Sequence, residues 1–392
     1  MARSPIAEVA RPWEGWSRNV ACNSAHDRAF RDYLPRRPLA SIGVPARHPN
    51  CKGMKQPMRL VFTTDQMPGY KRIRKGKGFS FLLPGGGVLS DKGERRRILS
   101  LAVPPAYENV WICQLPNGHL QATGIDARKR KQYRYHPEWH AGAANRKFGS
   151  LVDFAKALPK IRARVSRDLA NPELTRERVI AGIVALLDIT GYRIGNSRYE
   201  KENRSYGLSS LLMKHVKEED GQLLLRFRGK SGGEHETEVN NPRLTRLVEE
   251  LQELPGQHLF RYEDESGNFH DIETEDVNGW LKEAGGGEYT AKQFRTWRAT
   301  LLCARELAKE PPQEAVTNQG RVFREAIKTT ALQLNHTPAT CRKYYIHPNL
   351  EKTFASGILY QVMHSPAPKL KRSDGTAGLR TDERRVFKLI NL

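Results

Sequence analysis

The sequence predicts an α+β chain: a small β-rich N-terminal domain followed by a mainly α domain that carries a three-stranded β meander. Three patterns lead there. From about 59 to 148 the apolar residues come in short runs broken by Pro-Gly and Asn-Gly turns. From about 150 onward they recur at helical spacing. Between 207 and 239 short runs and tight turns interrupt the helices.

Residues 1–58 mix Pro, Arg, Ala and Ser without sustained periodicity and read as a disordered arm or a mis-assigned start. In 59–148 the strands are predicted at Leu60 to Thr63, Phe79 to Leu83, Val110 to Gln114 and Leu120 to Gly124. A basic and aromatic run, Asp126 to His136, closes this domain, and on a strand Tyr133 and Tyr135 would share one face. The second domain is expected over 149–365. Its helices are Phe154 to Leu169, then Thr175 to Leu187 with Val179, Ile180, Ile183, Val184 and Leu187 on one stripe. The meander runs Gly207 to Val216, Leu223 to Gly229 and Glu236 to Val239, leaving Lys230 at an exposed hairpin tip. Helices resume at Pro242 to Leu251, Thr290 to about Lys309, 310 to 335, and Gly357 to His364. Residues 366–392 form a linker and a last helix, capped by Thr381, that docks through Val386, Phe387, Leu389 and Ile390.

The chain has 392 residues and a formal charge of +22. A surplus of that size favours a polyanionic partner, with nucleic acid ahead of a membrane surface. Cys22, Cys51, Cys113, Cys303 and Cys341 lie far apart, with no zinc-like spacing, and read as reduced thiols. Val179 to Ile189 is too short to span a bilayer, and no signal-peptide layout opens the chain. A cytoplasmic, nucleoid-associated protein without a membrane partner is expected.

Thr337 followed by Pro338 starts a helix, and Pro348 ends it early. His336 and Tyr345 are nine apart, which on one continuous helix would place them on opposite faces. With the helix starting between them, both can reach one phosphate. Arg193, Lys230 and Arg295 complete a set able to handle a phosphodiester. A tyrosine attacking phosphorus needs cations for the charge building on the non-bridging oxygens, and arginines supply these bidentately. A histidine adds a hydrogen bond, and a lysine can protonate the leaving oxygen. Singly, each has an ordinary structural explanation: a loop histidine, a solvated lysine, a surface arginine.

In order and local context the five resemble the type IB DNA topoisomerases, in particular the small bacterial enzymes of poxvirus type. The resemblance spans Gly69 to Leu392, and Gln132, Tyr133 and Tyr135 fall on that family's DNA-contacting Gln-Tyr-x-Tyr motif. It implies the tyrosine recombinase/topoisomerase IB catalytic fold over 149–365 and Tyr345 as nucleophile. It also implies a 3′-phosphotyrosine with a free 5′ hydroxyl, and chemistry that needs neither ATP, metal nor small-molecule cofactor. Lys292, one helical turn before Arg295, then corresponds to a lysine that assists proton transfer. Double-stranded DNA is the implied partner of a protein acting as a monomer, with Arg128, Arg130, Lys131, Gln132, Tyr133, Tyr135, Arg198 and Tyr199 as DNA contacts. Asn196 stands where the poxvirus enzymes carry lysine, and Ser231 where they carry aspartate.

Two alternatives remain open on the sequence. A tyrosine recombinase shares the catalytic residues, but typically has histidine where Lys292 stands and a helical N-terminal domain. A non-catalytic basic DNA-binding protein would use the charge and aromatics alone.

Overall fold

The computed structural model describes residues 59–195, 200, 204–312, 316–366 and 377–392. The N-terminal arm, Arg198, Tyr199, Asn196 and most of the linker lie outside the described residues. The chain divides into two compact units between Ala143 and Ala144.

The first unit is a five-stranded antiparallel sheet in the order β2-β1-β3-β4-β5. Its strands are β1 (Gly69–Lys75), β2 (Gly78–Leu82), β3 (Glu108–Cys113), β4 (Leu120–Ile125) and β5 (Lys131–Tyr135). Strand β1, GYKRIRK, goes unpredicted because its cations hide the alternation. Arg72 explains one of them: its guanidinium donates to the carbonyls of Val103, Pro104 and Tyr107 at 3.0, 2.9 and 2.7 Å. Helix α1 (Lys92–Ser100) is masked in the same way by Arg95, Arg96 and Arg97, and is started by the Asp91 carboxylate accepting from Glu94 N–H at 2.6 Å. The expected strand Leu60 to Thr63 shrinks to a single bridge between Val61 and Gly118. Tyr70, Phe81, Ile98, Val110, Ile112 and Ala122 form the core of this unit.

The second unit is mainly helical. Helix α2 (Pro137–Asp168) starts well before the predicted Phe154, and α3 (Arg176–Thr190) is buried along most of its length. Thr175 caps α3, and Gly191, at φ 66°, ends it in the left-handed conformation that glycine adopts without steric cost. The meander is β6 (Val216–Glu219), β7 (Gln222–Arg228) and β8 (Glu234–Val239), in that spatial order. Its first strand begins at Val216, not Gly207. Gly207 packs so closely on Gly195 that a Cβ there would sit 2.4 Å from the Gly195 Cα, and the chain winds through short 3-10 turns instead. Asp220 and Gly221, both at positive φ, make the β6–β7 turn.

The remaining helices are α4 (Pro242–Gln252), α5 (Thr274–Gly285), α6 (Ala291–Ala308), α7 (Val316–Gln333), α8 (Pro338–Tyr344), α9 (Asn349–Ala355), α10 (Ile358–His364) and α11 (Thr381–Ile390). The small β9 (Arg261–Glu263) and β10 (Phe269–Asp271) pair between α4 and α5. One core joins α2, α3, α6 and the C-terminal helix through Leu158, Ile183, Phe294, Leu301, Val386 and Leu389. Thr381 is the first residue of α11, with Arg380 at its cap. Glu383, 1 % exposed, fixes this helix by accepting two hydrogen bonds from Arg162, at 2.8 and 2.7 Å, and Arg162 also grips Asp188. Among the described residues no helix is long and apolar enough to cross a membrane, and no cluster of His, Cys, Asp and Glu is placed to hold a metal ion.

Candidate active site

Helix α6 supplies the centre of the site because its apolar stripe buries one face and carries Arg295 inward with it, to 2 % exposure. The Arg295 guanidinium donates to the Gly191 carbonyl at 2.7 Å, to the Leu334 carbonyl, and from Nε to His336 Nε2 at 2.8 Å. It thereby ties together the end of α3, which leads to Arg193, and the loop before α8, which carries His336.

That loop turns sharply at Asn335, at φ 50°, and the Asn335 amide donates to the Glu234 carbonyl beside the β7–β8 turn. Thr337 then starts α8 by accepting from Thr340 N–H at 3.3 Å, with Pro338 in the first turn. The helix ends at Tyr344, and Tyr345 is the half-in residue that follows. His336 and Tyr345 meet as expected from a helix that starts between them: their rings stack at 4.3 Å with 18° between planes. Thr300 on α6 pins the far side. Its hydroxyl donates to the Tyr345 carbonyl at 3.1 Å and accepts from the His347 N–H at 3.3 Å.

The electrostatics of this cluster have one sign. Burial pulls the Arg295 guanidinium down to about 9, with Arg193 adding repulsion, and it stays cationic at neutral pH. Burial also lowers Arg193, while the Tyr345 hydroxyl opposes the shift by charge and by hydrogen bond. His336 is pushed down to about 2 by burial and by Arg295, Arg193, His235 and Lys147. It is neutral, and because Nε2 accepts from Arg295, its proton sits on Nδ1, which has no hydrogen-bond partner among the described residues. That N–H is a donor available to a phosphate oxygen.

Arg193, Arg295, His336 and Tyr345 therefore come together. Lys230 is exposed in the short turn Lys230–Gly232 between β7 and β8, on the hairpin to which Asn335 is bonded. Lys292 is exposed in the first turn of α6, close enough to Lys147 to repel its charge.

In the first unit, Tyr133 and Tyr135 do share a face of β5, with rings stacked at 6.1 Å. Tyr135 stacks in turn near Trp139 and His119, and Phe62 lies on His119, which extends the aromatic ledge beyond the motif. Arg128 and Arg130 are exposed beside it, Arg130 paired to Asp126 at 2.7 Å; Lys131 pairs with Asp65 at 2.5 Å and lies over the Tyr133 ring. Gln132 is placed differently from the expected DNA contact. It points to the opposite face, is 5 % exposed, and donates its amide to Asp126 at 2.9 Å. Strand alternation explains this: Gln132 immediately precedes Tyr133 on β5 and so faces the side opposite the two tyrosines.

Three residues of the site carry no sequence signal. Thr300 is one threonine on an apolar helix. His235 sits in the β8 pattern yet stacks on Phe227 and Tyr192, is held near 4 by burial and then by Arg295 and Arg193, and so backs the two arginines. Lys147 lies in α2, outside the predicted helix, with its Nζ 5.0 Å from the centre of the Tyr345 ring.

Comparison with known proteins places the chain in a family. The family model described as eukaryotic DNA topoisomerase I, catalytic core, matches residues 137–358, and the bacterial DNA topoisomerase IB N-terminal domain matches 78–126. The chain is 35 % identical to DNA topoisomerase 1B of Acanthamoeba polyphaga mimivirus over 287 residues, which is 71 % of this chain and 85 % of that protein. It is 26 % identical to DNA topoisomerase 1 of Schizosaccharomyces pombe, covering 54 % of this chain and 26 % of that one. It is 25 % identical to DNA topoisomerase 1B of Vaccinia virus, covering 34 % of this chain and 42 % of the viral protein. The chain belongs to the type IB DNA topoisomerase family.

Proposed function

We propose that the protein relaxes supercoiled duplex DNA by cleaving one strand through Tyr345, holding the end as a 3′-phosphotyrosine while the strand swivels, and resealing it. The observation that carries this reading is the convergence of Arg193, Arg295 and His336 on the Tyr345 ring and hydroxyl. Two permanent cations and a neutral imidazole N–H suit a phosphorane-like transition state, whose charge grows on the non-bridging oxygens. Lys230, exposed on a hairpin tied to the His336 loop, protonates the leaving 5′ oxygen, and Lys292 assists. The charge compensation comes from side chains, so the reaction calls for neither ATP nor metal.

The second unit has the tyrosine recombinase/topoisomerase IB catalytic fold in this reading. The β-rich unit contributes non-catalytic contacts to the same duplex through Tyr133, Tyr135 and the neighbouring cations, and the protein works as a monomer in the cytoplasm, on the nucleoid. Lys292 in place of a histidine, and the β-rich unit in place of a helical one, favour relaxation over site-specific recombination.

The test is relaxation of a supercoiled plasmid in excess EDTA without ATP. Wild type should give a ladder of topoisomers and a detergent-trapped covalent adduct, and Tyr345→Phe neither. Relaxation by the Phe variant would end the assignment of the nucleophile. Binding by both proteins without relaxation would leave only a DNA-binding role.

A further inference from the structure

The mechanism above leaves one proton without a destination. Tyr345 must lose its phenolic proton as its oxygen bonds to phosphorus, and most groups around it cannot take one. Arg193 and Arg295 are donors only. The imidazole of His336 already spends its lone pair on Arg295, and a second proton there would face both guanidiniums.

Lys147 is different. It lies on α2, with Nζ 5.0 Å from the Tyr345 ring centre and 5.0 Å from that of Phe148. Its Nζ is buried and makes no hydrogen bond among the described residues. Among the described residues the ionisable groups that interact with it are Lys292 from α6, His336 from the loop before α8, and Tyr345 itself, with no carboxylate among them. Lys292 is exposed, whereas Lys147 is half-buried with its Nζ enclosed, and enclosure disfavours the charged form of an amine. Burial, and then repulsion by Lys292, bring Lys147 down to about 7. A base with that affinity is close to the optimum for proton transfer at neutral pH.

We propose that Lys147 is the proton acceptor for the Tyr345 hydroxyl during cleavage and returns that proton during religation. The inference rests on Tyr345 being the nucleophile. In cleavage the Tyr345 oxygen bonds to phosphorus as the bond from phosphorus to the 5′ oxygen breaks. The phenolic proton passes to the neutral Lys147 amine, directly or through one water, and the 5′ oxygen takes a proton from Lys230. Religation reverses both transfers, so one catalyst serves both directions.

The experiment measures single-turnover adduct formation on plasmid DNA between about pH 5.5 and 9.5. It compares wild type, Lys147→Arg and Lys147→Met, with Tyr345→Phe as the control. At limiting DNA the wild-type rate should climb through about pH 7, where free Lys147 loses its proton. Both Lys147 variants should be slower by about 10²-fold or more near pH 8 and should lose that inflection. Arg keeps the charge but cannot act as a base, so it should bind DNA as wild type does and still fail to rescue the rate. Cleavage and religation should slow in parallel, leaving the adduct fraction at equilibrium unchanged. Wild-type rates in the Arg variant would show that charge alone matters and would overturn the proposal, as would an unchanged pH profile in either variant. Absence of any wild-type adduct would instead overturn the nucleophile assignment, and that failure is visible before the Lys147 variants are compared.

Discussion

Thr300→Val tests whether the position of the nucleophile is set from beneath. The substitution nearly conserves volume but removes the hydroxyl, whose one proton is shared between the Thr296 carbonyl at 2.9 Å and the Tyr345 carbonyl at 3.1 Å and which accepts from the His347 N–H at 3.3 Å. Thr300 is 0 % exposed and His347 7 %, so water cannot readily replace the lost partner. Leaving the His347 N–H unpaired costs about 1–3 kcal/mol before relaxation and the lost shared bond about 1 kcal/mol, so a total of about 2–4 kcal/mol is a reasonable expectation. In a unit of this size that lowers the melting temperature by roughly 5–15 °C. The effect on chemistry should be separable. The chain at Tyr345 is free to shift, and a displacement of about 1 Å costs on the order of 10²-fold in rate. Differential scanning calorimetry and detergent-trapped adduct formation, run well below the melting transition, read the two effects. Thr300→Ser, which keeps the hydroxyl, should recover most of both. A Val variant that melts with wild type and forms adduct at the wild-type rate would refute the anchoring role.

Other expected outcomes follow from single contacts. Glu383→Ala leaves Arg162 paired with Asp188 alone and removes its tie to α11, so it should cost about 2–3 kcal/mol in a urea titration, while Glu383→Gln should cost less. His235 and His347 are held near 4 and His336 near 2, chiefly by burial, so the folded state binds fewer protons than the unfolded chain once pH falls below about 6.5. Stability therefore rises with pH across that window and is lost on acidification from about 6.5 toward 4, which thermal melts at stepped pH will follow. Lys147 has the same sign at higher pH: its folded value of about 7 lies below that of an unfolded lysine. Lys147→Met should accordingly raise the melting temperature at pH 7, with the gain shrinking toward pH 10. Tyr133→Ala and Tyr135→Ala should weaken plasmid binding with little change in its salt dependence, whereas Gln132→Ala should act mainly by loosening the Asp126 turn and be visible as a stability loss.

The legible parts of this chain are those where one local rule decides the outcome. Thr337-Pro338 starts α8, Thr175 and Gly191 bound α3, and the stripe of α6 faces the core, so three of the residues that meet at the site could be placed from their own neighbourhoods. Strand β1 and helix α1 were hidden because their arginines mask the apolar period. Arg72 and Arg97 are satisfied by carbonyls and a glutamine from strands or loops far along the chain, which no local window contains. The extended start predicted for the meander failed for a similar reason, since contact between Gly207 and Gly195 is a tertiary constraint. Thr300, His235 and Lys147 belong to the same class, because each acquires meaning only from what it is packed against.

That contrast bears on how the site works. Arg193, Arg295, His336 and Lys147 all depart from their ordinary proton affinities in the same direction, each first through burial, and the charges that act on them besides the Tyr345 hydroxyl and the Cys341 thiol are one another's, that of Lys292 and that of His235. Among the described residues no carboxylate relieves them. A cluster of desolvated cations without a counter-charge weakens the fold that contains it, and such local conflict persists where function requires it. A phosphodiester is the group that resolves it, because it brings the anion and the hydrogen-bond acceptors in one piece. In the proposed reaction the interaction of these cations with a bound phosphate grows stronger as negative charge builds on its oxygens, so their mutual repulsion becomes preferential stabilisation of the transition state. A carboxylate beside Arg295 would make a more stable protein and a poorer catalyst, since it would already hold the place the phosphate must take.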